Sequence, residues 1–353
     1  MKGSFWKNKK VFITGHTGFK GSWLCAMLHK LEAEITGYAL APNSEFNLFE
    51  IVYSGAKIDS IEADIRDADL LICEMQKRNP EIVIHMAAQS LVTESYKSPA
   101  YTYDVNVMGT VSVLEAIRHC GSVRSFVNVT TDKVYKNNEW VWGYRENDAL
   151  DGHEPYSNSK SCSELVTYTY KRSFLEEVAI STCRAGNVIG GGDYAANRIV
   201  PDCVRAAIGK KEIVIRNPGA VRPYQHVLEP LFAYVLIAQM QWDDPTNFQG
   251  AYNIGPAMDD CVTTAKLADL FCMSWGDCAK WRHHPQTNAY HEANLLELDC
   301  SKARNVLNWK PVWNISTAVD NTVRWWKEHQ AGGDMFSFME NQVSEYMEAT
   351  YEV

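Results

Sequence analysis

Val11-Phe12-Ile13-Thr14-Gly15-His16-Thr17-Gly18-Phe19-Lys20-Gly21 decides the fold. A short apolar and β-branched run reads as a strand. Three glycines follow at intervals of three, and a helix is expected over about 18–31. In a strand–glycine loop–helix unit the glycines permit a tight turn, close backbone approach to a diphosphate and close helix–strand packing. The helix N-terminus adds N–H donors and a positive dipole end. Gly15, His16, Thr17, Gly18, Phe19, Lys20 and Gly21 are therefore the first candidates for a dinucleotide site.

Outward from this stretch, short β-type runs alternate with helical ones. Strands are expected at 34–40, 57–63, 82–86, 125–129 and 179–183. Helices are expected at 68–78, 101–119 and 158–174. That alternation predicts an α/β fold, a Rossmann-type doubly wound parallel sheet. After Gly190-Gly191-Gly192-Asp193 the pattern becomes mixed, apart from a core helix at 227–241. A smaller C-terminal α/β substrate lobe is expected there. The division falls at 1–186 and 187–353, with chain exchanged between the two parts.

Bulk composition bounds the function. The 353 residues carry 34 Lys+Arg against 43 Asp+Glu, a net charge of −9, which argues against a general nucleic-acid binder. No apolar run approaches a membrane span, and Lys9-Lys10 leads straight into a strand rather than a secretory segment. The ten cysteines include no Cys-x-x-Cys, so reduced thiols in a cytoplasmic protein are expected. His283-His284 and His291-Glu292 lack metal-ligand spacing, and no metal is expected.

Further along, Asp64 and Ile65 follow the third strand, and Asp64 is placed to meet an adenine amino group. Ala87, Ala88 and Gln89 follow the fourth strand, where small residues let backbone lie against a cofactor. Residues 37–42, Gly-Tyr-Ala-Leu-Ala-Pro, hold neither the carboxylate that reads an NAD ribose nor an arginine for a 2′-phosphate. Residue pattern alone leaves NAD and NADP open.

Tyr156 and Lys160 are four apart, on one helix face. A neighbouring ammonium favours phenolate and is expected to lower the tyrosine pKa, making a proton-transfer pair. Thr130-Thr131-Asp132-Lys133 closes the fifth strand, at the sheet edge that faces ligands. Thr131 can hydrogen-bond a reacting hydroxyl. Asp132 and Lys133 add an acid–base pair that simple alcohol oxidation does not need, which points to loss of water. Arg198 and Arg222 suit a diphosphate, with Asn187, Glu94 and Tyr224 as further substrate contacts.

These segments, with Trp142-Gly143-Tyr144-Arg145-Glu146 and residues 184–193, Arg-Ala-Gly-Asn-Val-Ile-Gly-Gly-Gly-Asp, carry a resemblance. The chain resembles the extended short-chain dehydrogenase/reductases that act on nucleotide sugars. Within them it looks like the CDP-D-glucose 4,6-dehydratase group, with Lys133 and His16 as the discriminating residues. Tyr224 departs from the tryptophan that the group's pattern leads one to expect. The resemblance implies NAD as cofactor and CDP-glucose as substrate. It implies the 4-keto-6-deoxy product of C4 oxidation, elimination across C5–C6 and hydride return. It also implies a homodimer or dimer of dimers, and a place in deoxysugar synthesis for surface polysaccharide such as O-antigen. A 4-epimerase, or a dehydratase for another nucleotide, is the alternative within the same fold.

Overall fold

The structure is a computed structural model that describes residues 3–42, 46–54, 58–284 and 296–351. Lys57, the expected start of a strand, and the pair His291-Glu292 lie outside the described residues.

The elements that position the site are, in chain order, β1 (Lys10–Thr14), α1 (Phe19–Lys30), β2 (Glu34–Ala39), β3 (Asp59–Glu62), α2 (Ala68–Arg78), β4 (Ile82–His85), α3 (Gly109–Cys120), β5 (Ser125–Val129), α4 (Pro155–Ser173), β6 (Ala179–Ala185), α5 (Ile199–Ile208), α6 (Leu228–Asp243), β7 (Gly250–Ile254), α7 (Thr264–Trp275), α8 (Ile315–Gln330) and α9 (Met335–Tyr351). Seven strands form one sheet in the order β7-β6-β5-β4-β1-β2-β3. Every pairing in it is parallel. The order reverses between β1 and β4, which opens a crevice at the strand C-termini.

The central strands are buried on both faces, as helices covering both sides of a parallel sheet require, while edge strand β3 is largely exposed. Val11, Ile13, Ile82 and Ile84 point into a core shared with α1, α6 and α9. Phe12, Val83, Phe126 and Ile180 point into a second core with α2 and α3. A strand from residues 250–254 completes the sheet beside β6, and sequence reading did not anticipate it.

The expected helix over 101–119 is interrupted. Pro99–Tyr103 is α-helical, Asp104–Met108 is one π-turn, and α3 follows. The π-turn sets buried Asn106 against the strand-β4 exit: its Oδ1 accepts from Gln89 N at 2.8 Å, and its Nδ2 donates to Gln89 O at 3.0 Å. A single helical face could not aim this side chain while keeping Val105 in the core.

Glu229, on α6, ties the C-terminal helix to the core. Its carboxylate accepts from Val312 N (3.0 Å), Trp313 N (2.7 Å) and Tyr346 OH (2.6 Å). Burial raises its pKa from 4.5 to about 7, against the pull of those donors and with a push from Asp260. The protonated form is therefore the one the fold favours. Its contribution is full below pH 4.5 and is lost as pH rises through about 7. Glu229→Gln should consequently fall behind the native protein in stability at acid pH and close that gap toward pH 8, by at most ~1.4 kcal/mol per unit. Thermal melts of both proteins across this range check it.

Candidate active site

One cavity of about 2240 Å³ opens along the C-terminal edge of the sheet. Small-ligand pockets reach about 1,000 Å³, so this one has room for two ligands. Every residue nominated from sequence lines it except His16.

Gly15 follows β1 with φ +78°, and a Cβ on it would stand 2.7 Å from Ala87 N. The glycine loop and the 87–89 segment therefore touch backbone to backbone. Gly18 caps α1 with no side-chain hydrogen bond, which leaves first-turn N–H groups for a ligand. Gly15→Ala is expected to clash at Ala87 and weaken dinucleotide binding at least about tenfold, since the strained loop forfeits several phosphate contacts. Titration of cofactor fluorescence measures it.

His16 turns away from the cavity. Its Nε2 meets Ser60 Oγ at 2.7 Å, its ring stands edge-on to Phe49, and a Cβ on Gly37 would sit 2.3 Å from the ring. Burial lowers its pKa to about 4. Of this candidate for the dinucleotide site the side chain is therefore directed away from the cavity. Gly37 lacks a side chain, and the ring fills that space. Asp64 lines the cavity with its carboxylate held by Arg66 at 2.7 Å. Ile65 is buried under Gly109, while Thr17 Oγ1 donates to Leu40 O at 3.0 Å.

Helix α4 begins at Pro155, and Glu154 caps it by accepting from Tyr156 N (2.7 Å) and Ser157 N (3.1 Å). Tyr156 thus lies in the first turn and Lys160 one turn on. Lys160 Nζ donates to Val129 O at 3.1 Å. Burial lowers the Lys160 pKa to about 8, partly offset by Glu164. Burial raises Tyr156 to about 12, while its hydrogen bond to Thr131 and the charge of Arg198 pull it down. The expected lowering of the phenol is therefore reversed in the protein alone: desolvation outweighs the Thr131 hydrogen bond and the charge of Arg198.

Asp132–Val134 forms a single 3₁₀ turn at the end of β5. Asp132 Oδ1 accepts from Thr131 Oγ1 (3.0 Å) and Lys133 Nζ (3.2 Å). Its Oδ2 is buried without a hydrogen-bond partner among the described residues, facing Gly186. Lys133 Nζ also reaches Asn187 Oδ1 at 3.5 Å. Lys20, from the glycine loop, joins this group: burial lowers its pKa to about 8, with Arg198, Asp132, Lys160 and Lys133 all acting on it.

Arg198 pairs with Asp193 at 3.1 Å, and Arg222 Nη1 donates to Val221 O at 2.9 Å. Tyr224 is buried at the cavity wall, while Glu94 lies at the rim, 3.3 Å from Lys97.

A sequence model of the GDP-mannose 4,6 dehydratase family matches residues 12–322. The chain belongs to this family. A CDP-glucose 4,6-dehydratase of Salmonella typhimurium is 44% identical, over 98% of this chain and 98% of that one. A dTDP-glucose 4,6-dehydratase of Streptomyces antibioticus is 28% identical over 91% and 93%. Among solved structures, UDP-glucose 4-epimerase of Thermotoga maritima superposes with a TM-score of 0.79 at 22% identity, covering 91% of this chain and 99% of that one. The dTDP-glucose 4,6-dehydratase of Bacillus anthracis, in complex with NAD, gives 0.76 at 20%, covering 93% and 99%. These structural likenesses establish the extended Rossmann fold of this dehydratase family.

Sequence reasoning left two dehydratase residues out of the site. Glu164 and Arg184 are fully buried beneath it, 2.8 Å apart, yet each reads in sequence as an ordinary surface charge. Glu164 does stand four residues after Lys160, a spacing that places it on the same helix face.

Proposed function

We propose that this protein dehydrates CDP-D-glucose to CDP-4-keto-6-deoxy-D-glucose, with NAD as a recycled cofactor. The observation that carries the reading is the Thr131-Asp132-Lys133 turn standing beside Tyr156 in one cavity. An oxidation site alone would use Thr131 but has no use for Asp132 and Lys133. The 44% identity to a CDP-glucose 4,6-dehydratase supports the choice of nucleotide.

The residues present fit a dinucleotide: the Gly15–Ala87 approach leaves no room for a side chain, and the α1 N-terminus has donors to spare. Held by the glycine loop and the 87–89 segment, NAD would supply a hydride acceptor for C4 and the hydride donor for C6. The Tyr156 phenolate accepts the 4-hydroxyl proton while the Thr131 hydroxyl orients that group. Lys160, held by Val129 O, supplies positive charge beside the tyrosine. Once C4 is a ketone, the C5 hydrogen is acidic. Lys133 in its neutral form takes that proton, and Asp132 in its protonated form, through Oδ2, protonates the departing 6-hydroxyl. Water leaves, and with hydride returned at C6 and the proton on Lys133 returned to C5 the net reaction is loss of water with no external oxidant.

Arg198 and Arg222 serve the substrate diphosphate, with Asn187, Glu94 and Tyr224 toward the sugar and nucleotide. On this reading residues 187–353 mainly form the substrate lobe. Among the described residues no helix is long and apolar enough to cross a membrane. A cytoplasmic location accords with ten free cysteines. Tyr101, Met108 and Leu165 expose apolar surface on and next to α3 and α4, which supports a homodimer through that face. Leu165→Glu should then sediment as a monomer at concentrations where the native protein is dimeric.

The direct test is turnover of CDP-glucose beside UDP-, GDP- and dTDP-glucose, with and without added NAD, read as alkali-induced absorbance of the 4-keto sugar. Signal with CDP-glucose alone supports reaction and base together. Signal with none of them rejects the dehydratase reading.

A further inference from the structure

Glu164 and Arg184 take no part in the proton transfers above, yet both are shut off from solvent, with side chains 0% and 1% exposed. Glu164 Oε1 accepts from Thr130 Oγ1 (2.6 Å) and Arg184 Nε (2.9 Å). Its Oε2 accepts from Thr182 Oγ1 (2.7 Å) and Arg184 Nη2 (2.8 Å). Four donors fill the acceptor positions of an ionised carboxylate. Arg184 then gives Nη1 to Tyr135 OH (2.7 Å) and Glu146 O (2.9 Å), and its guanidinium lies 4.9 Å from the centre of the Tyr135 ring. Tyr135 OH donates onward to Asn253 Oδ1, on β7, at 2.6 Å.

Stability alone does not call for such a pair, because apolar residues of similar volume serve a core as well or better. What the pair supplies is a fixed geometry, and its reach has a pattern. Thr130 and Tyr135 are the two ends of the segment that carries Thr131, Asp132 and Lys133. Glu164 holds the first end and Arg184 the second. Tyr156 and Lys160 are fixed by other contacts, the Glu154 cap and Val129 O.

We propose that Glu164 and Arg184 are positioning residues for the elimination of water: joined as one bracket, they fix the Thr131–Lys133 turn relative to Tyr156. This rests on the dehydratase reading above. Because Tyr156 and Lys160 are anchored separately and Thr131 is the one C4-step group on the turn, whereas both Asp132 and Lys133 sit on it, loosening the bracket slows the second half of the reaction more than the first.

Two variants loosen it without removing the Glu164 charge. Arg184→Lys keeps a cation opposite Glu164, but a lysine lacks the planar fork needed to span Glu164 and Tyr135 together. Tyr135→Phe removes one hydroxyl, leaves the ion pair whole, and covers the case in which Arg184→Lys folds poorly. In each, turnover should fall about 10²-fold, the scale that a misplacement of about 1 Å produces. KM for the nucleotide sugar should stay within about threefold. Reduced nicotinamide should build up during turnover, seen in its near-ultraviolet absorbance, because oxidation outruns elimination. In the cofactor-free protein, amide hydrogen exchange at 131–134 should quicken in both variants. Native turnover in both variants, or turnover lost without that absorbance, overturns the proposal. If the native protein converts no nucleotide sugar, it is the dehydratase reading that fails, and unchanged amide exchange in the cofactor-free variants would still sink the bracket.

Discussion

Tyr156→Phe is expected to lower turnover by about 10³–10⁴, the upper part of the range for one general acid–base group. Phenylalanine keeps the ring and removes only the phenol. The surrounding groups do not replace it: Lys160 donates to Val129 O and, with burial bringing its pKa down only to about 8, stays cationic at neutral pH, while the Thr131 hydroxyl proton is given to Asp132. Binding of the nucleotide sugar should stay within a few-fold, which separates lost chemistry from lost fit. A pH profile gives the complementary check. Burial holds the phenol up at about 12 and the lysine down at about 8, so the rate should fall as pH rises past about 8 and Lys160 loses its proton. Oxidised nicotinamide adds positive charge that favours the phenolate. Near-native turnover in Tyr156→Phe would remove this residue from the reaction.

Lys133→Met should separate the two halves of the catalytic cycle. Methionine keeps the reach and the apolar stem while removing the amine. Oxidation at C4 should proceed, elimination should fall by about 10²–10⁴, and reduced nicotinamide should accumulate in proportion to enzyme. Asp132→Asn should give a related block. The Asp132 Oδ2 atom supports this pairing: a buried oxygen without a partner costs about 1–3 kcal/mol, a cost that a hydrogen bond to substrate removes. A Lys133→Met enzyme that forms 4-keto-6-deoxy sugar at full rate would overturn the role given to Lys133.

Much of this was legible in the chain itself. The strand–glycine–helix opening and the alternation after it specify the parallel sheet, since only a handful of topologies satisfy such a pattern. The residues that failed to show have physical reasons. Strand β6 reads as ending at Cys183 because Arg184 stops the apolar run, but Glu164 neutralises that charge in the core and the strand continues to Ala185. The π-turn at 104–108 leaves no trace in hydrophobic periodicity, because the apolar residues within and after it, Val105 and Val113, are buried alike. Strand β7 is a short run in a mixed segment, and a partner far away in sequence decides it. His16 aims away from its loop because Gly37, on the adjacent strand, makes room, a relation invisible from residue 16 alone.

Strand β7 also bears on the order in which the molecule is made. Asn253 receives the Tyr135 hydroxyl and donates to Tyr144 O at 2.7 Å and Asp299 O at 3.1 Å. A ribosome exposes every residue named for proton transfer long before it exposes Asn253. Nascent chain that stops short of β7 therefore holds these side chains on a sheet with an open edge, and Tyr135, though bonded to Arg184, lacks its Asn253 partner.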